Sequence, residues 1–225
     1  MIGIVIIGQA ADPEFDNKIF FRIQGKTVLE HTIDTCLSSP MAHRVVVCLP
    51  SSDVSLIHGG PFKEAVISSI YSGASNGIMS RLHFSYSDAK SEISRLYKAC
   101  LDFDLDAIAI VDADCPLITS WIINDAITLF CRNNYVIKTL YQDGLNVTVY
   151  PFWVIASLQR YIDYPEKQEA FSQTVAVGTV NERIPTCKTD LRLKSRSQIP
   201  IFDAFIADAK NGIDIVDIIK EFNDE

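Results

Sequence analysis

The stretch Ala107-Ile-Ala-Ile-Val-Asp-Ala-Asp-Cys-Pro-Leu-Ile118 constrains this chain more than any other. Five apolar residues in a row, without alternation, suit a parallel strand covered on both faces rather than one with a wet face. The run ends abruptly in two carboxylates, Asp112 and Asp114, and then in the chain-turning Pro116. Acids just past the carboxyl end of a buried parallel strand stand where open α/β sheets take their ligands. Two acids one residue apart can converge on a single hard cation, and oxygen ligands suit Mg²⁺ or Mn²⁺. Such an ion would carry a nucleotide phosphate. An isolated pair of this kind is more often a helix or turn cap beside a solvated acid, so the remaining sequence has to support the ligand site.

The rest of the chain alternates strand-like and helix-like segments. Ile2–Ile7 reads as a strand, followed by an irregular loop over Gly8–Asn17 and a second extended piece at Ile19–Ile23. Thr27-Val-Leu-Glu30 is a capping box, and the helix that it starts runs to about Leu37. Arg44–Leu49 is the next strand, Phe62–Tyr71 a helix, Arg81–Tyr86 a short strand, and Ser87–Leu101 a helix leading into Ala107–Val111. Thr119–Cys131 has the composition of a buried helix. Tyr135–Leu140 and Asn146–Tyr150 read as strands, Pro151–Tyr161 as a helix, and Ile201–Ala209 and Asp214–Phe222 as closing helices. This alternation predicts an α/β fold, a doubly wound, mostly parallel sheet with helices on both faces and Ala107–Val111 as a central strand. With no internal repeat, low-complexity tract or linker, a single domain over residues 1–225 is expected.

Composition narrows the function classes. A formal net charge of −8 argues against a broad nucleic-acid footprint, which needs a basic face, but allows a local basic pocket for a nucleotide. The six cysteines are scattered without a C-x-x-C pair, and most lie in apolar runs, as expected of small buried hydrophobes in a reducing compartment. The four histidines show no metal-ligand spacing, which argues against zinc. No stretch is long enough to cross a membrane, and the apolar start Met1–Gly8 lacks the basic flank of a signal peptide. A cytoplasmic protein without a membrane or nucleic-acid partner is expected.

Three separate stretches resemble one family. Lys18-Ile-Phe-Phe-Arg-Ile-Gln-Gly-Lys-Thr-Val-Leu-Glu-His31 is similar to the segment P-G-K-x-L-x-x-I-x-G-K-P-x-L-E-H of the spore-coat-polysaccharide-type cytidylyltransferases. Ser94-Arg-Leu-Tyr-Lys-Ala99 with Asp114-Cys-Pro-Leu-Ile118 resembles that family's D-R-Y-x-x-A helix and T-G-D-C-P-L-I strand end. Asp143-Gly-Leu-Asn-Val-Thr-Val-Tyr150 resembles D-G-L-D-V-E-V-F. These proteins are related to the CMP-ketodeoxyoctonate and acylneuraminate synthetases. The resemblance implies a GT-A-like nucleotide-diphospho-sugar transferase fold, a CTP partner, a sugar or sugar-acid acceptor for cell-surface glycan synthesis, Mg²⁺ (or Mn²⁺), and a homodimer by analogy. It implies that Asp114 holds the metal and that Lys18 approaches the phosphates; Asp112, where the family has threonine, borders the nucleotide and joins Asp114 as a metal ligand on the reading of the strand-end acids alone. Gln9 and Ala10 would border the nucleotide, and Arg95, Asp143, Gly144 and Asn146 the sugar side.

The sequence also departs from that pattern. The loop Gln9-Ala-Ala-Asp-Pro-Glu-Phe-Asp-Asn-Lys18 lacks the family's arginines and glycines and gains Asp12, Glu14 and Asp16, which repel a triphosphate. Ala170 replaces a histidine, and Asn146 the second acid of D-G-L-D. In Asp190-Leu-Arg-Leu-Lys-Ser-Arg196, Arg196 falls where the family has its second metal ligand. Arg196 is therefore expected to lie away from the pocket, with Asp203 or Asp112 as the second carboxylate, and turnover of CTP to be slow. Two other functions stay open. One is a GT-A glycosyltransferase using Asp112-Ala-Asp114 as its metal motif; the other is a non-catalytic paralogue with a binding or assembly role.

Overall fold

The computed structural model describes residues 1–10, 15–58, 80–180, 187–189 and 191–224. Strand β1 (Ile2–Ile7) pairs in parallel with β4 (Arg44–Pro50) on one side and with β6 (Ala107–Asp112) on the other. Beyond β4 lies β5 (Leu82–Ser87), also parallel, and beyond β6 come β8 (Thr148–Pro151), β7 (Val136–Thr139) and β9 (Val177–Val180). The seven-stranded order is β5-β4-β1-β6-β8-β7-β9, which makes β6 the central strand, as its unbroken apolar run requires. Only β8 runs against its neighbours, so four of the six strand pairings are parallel. A two-stranded ribbon, β2 (Arg22–Ile23) and β3 (Lys26–Thr27), stands apart from the sheet.

Alternate residues of the central strands feed two separate cores, because successive side chains leave a strand on opposite faces. Ile4, Ile6, Val45, Val47 and Val111 pack on one face against α1 (Val28–Ser38), α4 (Ser120–Asn133), and the closing helices α7 (Ile199–Lys210) and α8 (Ile215–Asp224). Val5, Ile7, Val46, Cys48 and Ile108 pack on the other against α3 (Glu92–Asp102) and α5 (Phe152–Arg160). A short α2 (Val54–His58) follows β4, and α6 (Pro165–Thr174) packs on α5 through Phe171. Each fully buried Ile, Leu or Val in these layers stabilises the fold by about 1.5–3 kcal/mol. The doubly wound α/β architecture is therefore a consequence of strands that are apolar on both faces.

Local chemistry sets the element boundaries. Thr27 and Glu30 form the expected capping box of α1: the Thr27 hydroxyl accepts from the Glu30 amide at 3.1 Å, and the Glu30 carboxylate accepts from the Thr27 amide. The helix expected over Ser87–Leu101 begins only at Glu92, and the strand expected from Asn146 only at Thr148. At the latter, the Thr139 hydroxyl takes the Val147 amide at 2.7 Å. The extended piece expected at Ile19–Ile23 begins only at Phe21 and continues as β2, because Lys18–Phe20 forms a 3₁₀ turn opened by Asn17 at φ 58. Helix α6 and strand β9 carry no apolar periodicity strong enough to have been recognised, and the Phe62–Tyr71 helix lies outside the described residues. No helix among the described residues is long and apolar enough to cross a membrane.

Candidate functional site

The register places the carboxyl ends of three strands side by side, with Ile7 opposite both Cys48 and Asp112. Gly8 then passes very close to Ala113, where a Cβ on Gly8 would lie 2.5 Å from the Ala113 Cβ. Any side chain there would force the strand ends apart. Above this edge opens a cleft of about 250 Å³ lined by Gly8, Gln9, Lys18, Glu92, Arg95, Asp112, Asp114 and Arg192, among others.

Asp114 is the electrostatic centre of the cleft, its side chain 4% exposed. Lys18 reaches it at 2.8 Å from the 3₁₀ turn, which is anchored by the buried Ile19 and Phe20. Arg192 reaches it through Nε at 2.9 Å and extends Nη1 to Asp112 at 3.4 Å and Asp143 at 3.9 Å. Asp143 also pairs with Lys194 at 3.0 Å. Arg95 donates from Nη1 to the Gly8 carbonyl at 3.3 Å, while its buried Nε has no hydrogen-bond partner among the described residues. The cleft is thus walled by alternating charges.

Burial shapes these groups. Desolvation in the cleft pushes the Asp112 carboxyl up to about 6, although 40% of its side chain is exposed. Arg192 opposes the shift, while Asp114, Glu92 and Asp143 reinforce it. Burial works against the charge of Arg192, but Asp112 and Asp114 outweigh it and hold that guanidinium above its ordinary value. The buried Cys115 thiol is pushed well up, first by burial and then by Asp114, and stays protonated.

Arg192 owes its position to the chain on either side. Leu191 and Leu193 are fully buried on either side of it, and Arg192 between them lines the cleft. The Leu193 amide donates to the Asp114 carbonyl at 3.1 Å, and the Gln198 amide group donates to the Arg192 carbonyl at 3.2 Å. Gly144, at φ +99, lies so close beneath that a Cβ would stand 2.2 Å from the Leu191 carbonyl group.

Of the residues singled out in the sequence, Gln9, Lys18, Arg95, Asp112 and Asp114 line the cleft. Asp143 joins them through Arg192. Ala10 lies just behind, buried, with its amide donating to the Asp53 carboxylate at 2.7 Å. Gly144 acts as the seat of the Leu191–Arg192 backbone. Asn146 is absent from the cleft lining, and its Oδ1 is buried without a partner among the described residues. Arg196 lies outside the cleft lining, as expected, with its guanidinium 5.4 Å from the centre of the Phe15 ring. Asp203 is exposed on α7 and does not line the cleft, so it does not supply the second carboxylate.

Three residues in or behind the cleft escaped sequence reasoning: Arg192 and Glu92 in its lining, and Asp53 beneath Ala10. The Leu-Arg-Leu alternation was the available signal for the first. Asp53 follows β4 as Asp112 ends β6, and the same strand-end rule would have found it.

The expected Mg²⁺ or Mn²⁺ fits this donor set poorly. Asp112, Asp114 and Cys115 offer three donor atoms within 4.8 Å of one another. A protonated thiol is no ligand for a hard cation, and Asp114 already accepts from an ammonium and a guanidinium.

No protein-family model matches the sequence, and no curated protein matches it. Solved structures do match the fold. A cytidylyltransferase from Leptospira borgpetersenii is similar over 99% of this chain and 94% of its own, at a TM-score of 0.79 and 16% identity. CMP-2-keto-3-deoxy-manno-octonic acid synthetase, solved in complex with CTP, aligns over 92% of this chain and 99% of its own, with a TM-score of 0.64 and 14% identity. The 4-diphosphocytidyl-2C-methyl-D-erythritol synthase of Anaerococcus prevotii covers 92% and 96% respectively, at a TM-score of 0.63 and 14% identity. The likeness in fold runs essentially the whole length of the chain.

Proposed function

We propose that this chain is a cytidylyltransferase-like protein that binds CTP at the carboxyl edge of the sheet and transfers CMP to a sugar or sugar acid, for cell-surface glycan synthesis. The observation that carries the proposal is the convergence of Lys18, Arg192 and Arg95 around Asp114, at the strand ends of a fold shared with cytidylyltransferases. In the reaction the acceptor hydroxyl gives up its proton to water and the resulting oxyanion attacks the α-phosphorus of CTP. A new phosphorus–oxygen bond forms, the α–β bridging bond breaks, and pyrophosphate leaves with the bond's electron pair. Charge gathers on the phosphate oxygens as this happens, and fixed donors placed there in advance lower the barrier. Lys18 and Arg192, the cations that meet at Asp114, would be those donors. The Arg192 fork suits phosphate oxygens, which accept two parallel N–H donors. Asp114, itself buried, holds both cations in place.

Thermal-shift measurements with CTP, other nucleoside triphosphates and nucleotide-sugars test this. A ligand at a hundred times its Kd adds about 2.7 kcal/mol to the folded state, an easily measured rise in melting temperature. CTP should stabilise the protein above the other nucleotides, and a pyrophosphate-release assay over several sugar acids should then report turnover. Stabilisation by nucleotide-sugars alone would move the assignment to a GT-A glycosyltransferase using Asp112 and Asp114. A non-catalytic binding role is favoured by one observation: Asp53 occupies the Ala10 amide, in the loop expected to face phosphate. CTP stabilisation without pyrophosphate release would support that role.

A further inference from the structure

Three acids in the cleft have one cation laid across them, and that cation belongs to the chain. Arg192 spans Asp114, Asp112 and Asp143 at 2.9, 3.4 and 3.9 Å, and Lys18 adds a second positive charge to Asp114 at 2.8 Å. A divalent ion shared by Asp112 and Asp114 would have to displace the guanidinium that already bridges them. If both cations stayed, the ion would meet strong repulsion at close range. The displacement is itself opposed. Buried Leu191 and Leu193 flank Arg192, the Leu193 amide is bonded to the Asp114 carbonyl, Gln198 holds the Arg192 carbonyl, and Gly144 supports the segment from below. A planar guanidinium fixed this way loses little freedom when it holds several acids.

We infer that Arg192 is the built-in occupant of the cleft's cation position, supplying from a side chain the charge that a divalent ion would otherwise bring to Asp112 and Asp114. The protein meets a phosphate-bearing ligand with a guanidinium and an ammonium rather than with a metal ion of its own. The inference concerns the acids and Arg192 alone, so it does not depend on CTP being the nucleotide.

The test is a Mn²⁺ titration of the full chain without nucleotide, following the electron paramagnetic resonance of free Mn²⁺. Wild type should leave Mn²⁺ free at concentrations where Arg192→Ala binds it at least about tenfold more tightly, the scale on which neighbouring groups change metal affinity. Adding Asp114→Asn to Arg192→Ala should abolish that gain, and Arg192→Lys, which keeps a cation, should stay close to wild type. Arg192→Gln substitutes if the alanine variant does not fold. Equal affinity in wild type and Arg192→Ala overturns the inference. So does tight Mn²⁺ binding by wild type that Asp114→Asn removes, a result that decides even if both Arg192 variants are unfolded. A failure of CTP to bind would count against the proposed function and leave this result untouched.

Discussion

Substituting Gly144 by alanine should weaken the fold and the site together. Gly144 has φ +99, and an added Cβ would lie 2.2 Å from the Leu191 carbonyl carbon and oxygen and 2.5 Å from the Arg192 nitrogen. These are backbone atoms, so no rotamer change relieves the overlap. The left-handed backbone alone costs an L residue about 1–2 kcal/mol. Forcing extra volume into a packed contact adds about 1–3 kcal/mol. The sum, about 2–5 kcal/mol, is a large part of the roughly 5–15 kcal/mol that holds a domain folded. For a chain of this length each kcal/mol lowers the melting temperature by about 2–4 °C, so a fall of roughly 10 °C is expected. Gly25→Ala is the matched control, because Gly25 has φ +81 but nothing among the described residues within 4 Å of an added Cβ. It should suffer the backbone cost alone, a fall of about 4 °C. Thermal and urea unfolding of the three proteins by circular dichroism makes the comparison. Equal losses in both variants would refute the claim that the Leu191–Arg192 backbone rests against Gly144.

Asp114→Asn should cost about 3–5 kcal/mol in urea unfolding, because it leaves the largely buried Lys18 and the Arg192 Nε without their shared charge; a loss below about 1 kcal/mol would mean that the cluster is screened like a surface pair. Thr27→Ala removes the α1 cap and should cost about 1 kcal/mol, measured the same way. His31 gives a pH signature. Burial lowers its pKa from the ordinary 6.5, with Lys210 and Lys26 acting in the same direction, against the Ile23 carbonyl and Asp34. The unfolded chain therefore takes up the proton first as the pH falls, so this contribution is complete above about 6.5 and is lost on acidification through 6.5 towards the folded value. His31→Gln should show a smaller drop in melting temperature than wild type between pH 7.5 and 5.5, and an unchanged drop would exclude His31 as a contributor.

Residues whose meaning is local could be read from the sequence. Ala107–Val111 fixed its own place at the centre of the sheet, because a strand with no polar face has to be covered on both sides. Thr27 and Glu30 announced the start of α1, since a capping box is complete within four residues. Asp112 and Asp114 marked the strand end where the cleft opens, and Lys18 came with the resemblance. What escaped depended on partners distant in the chain. Arg192 is 78 positions from the Asp114 that it binds, and it is held between the buried Leu191 and Leu193 with Gly144 close by. The edge strand β9 forms by pairing with β7, not by any pattern of its own. Sequence therefore determined the layers and the edge at which a ligand would sit, because periodicity and caps are short-range. Tertiary structure alone decided which charge stands opposite Asp112 and Asp114, because Coulomb pairing depends on distance in space and leaves no trace in sequence spacing.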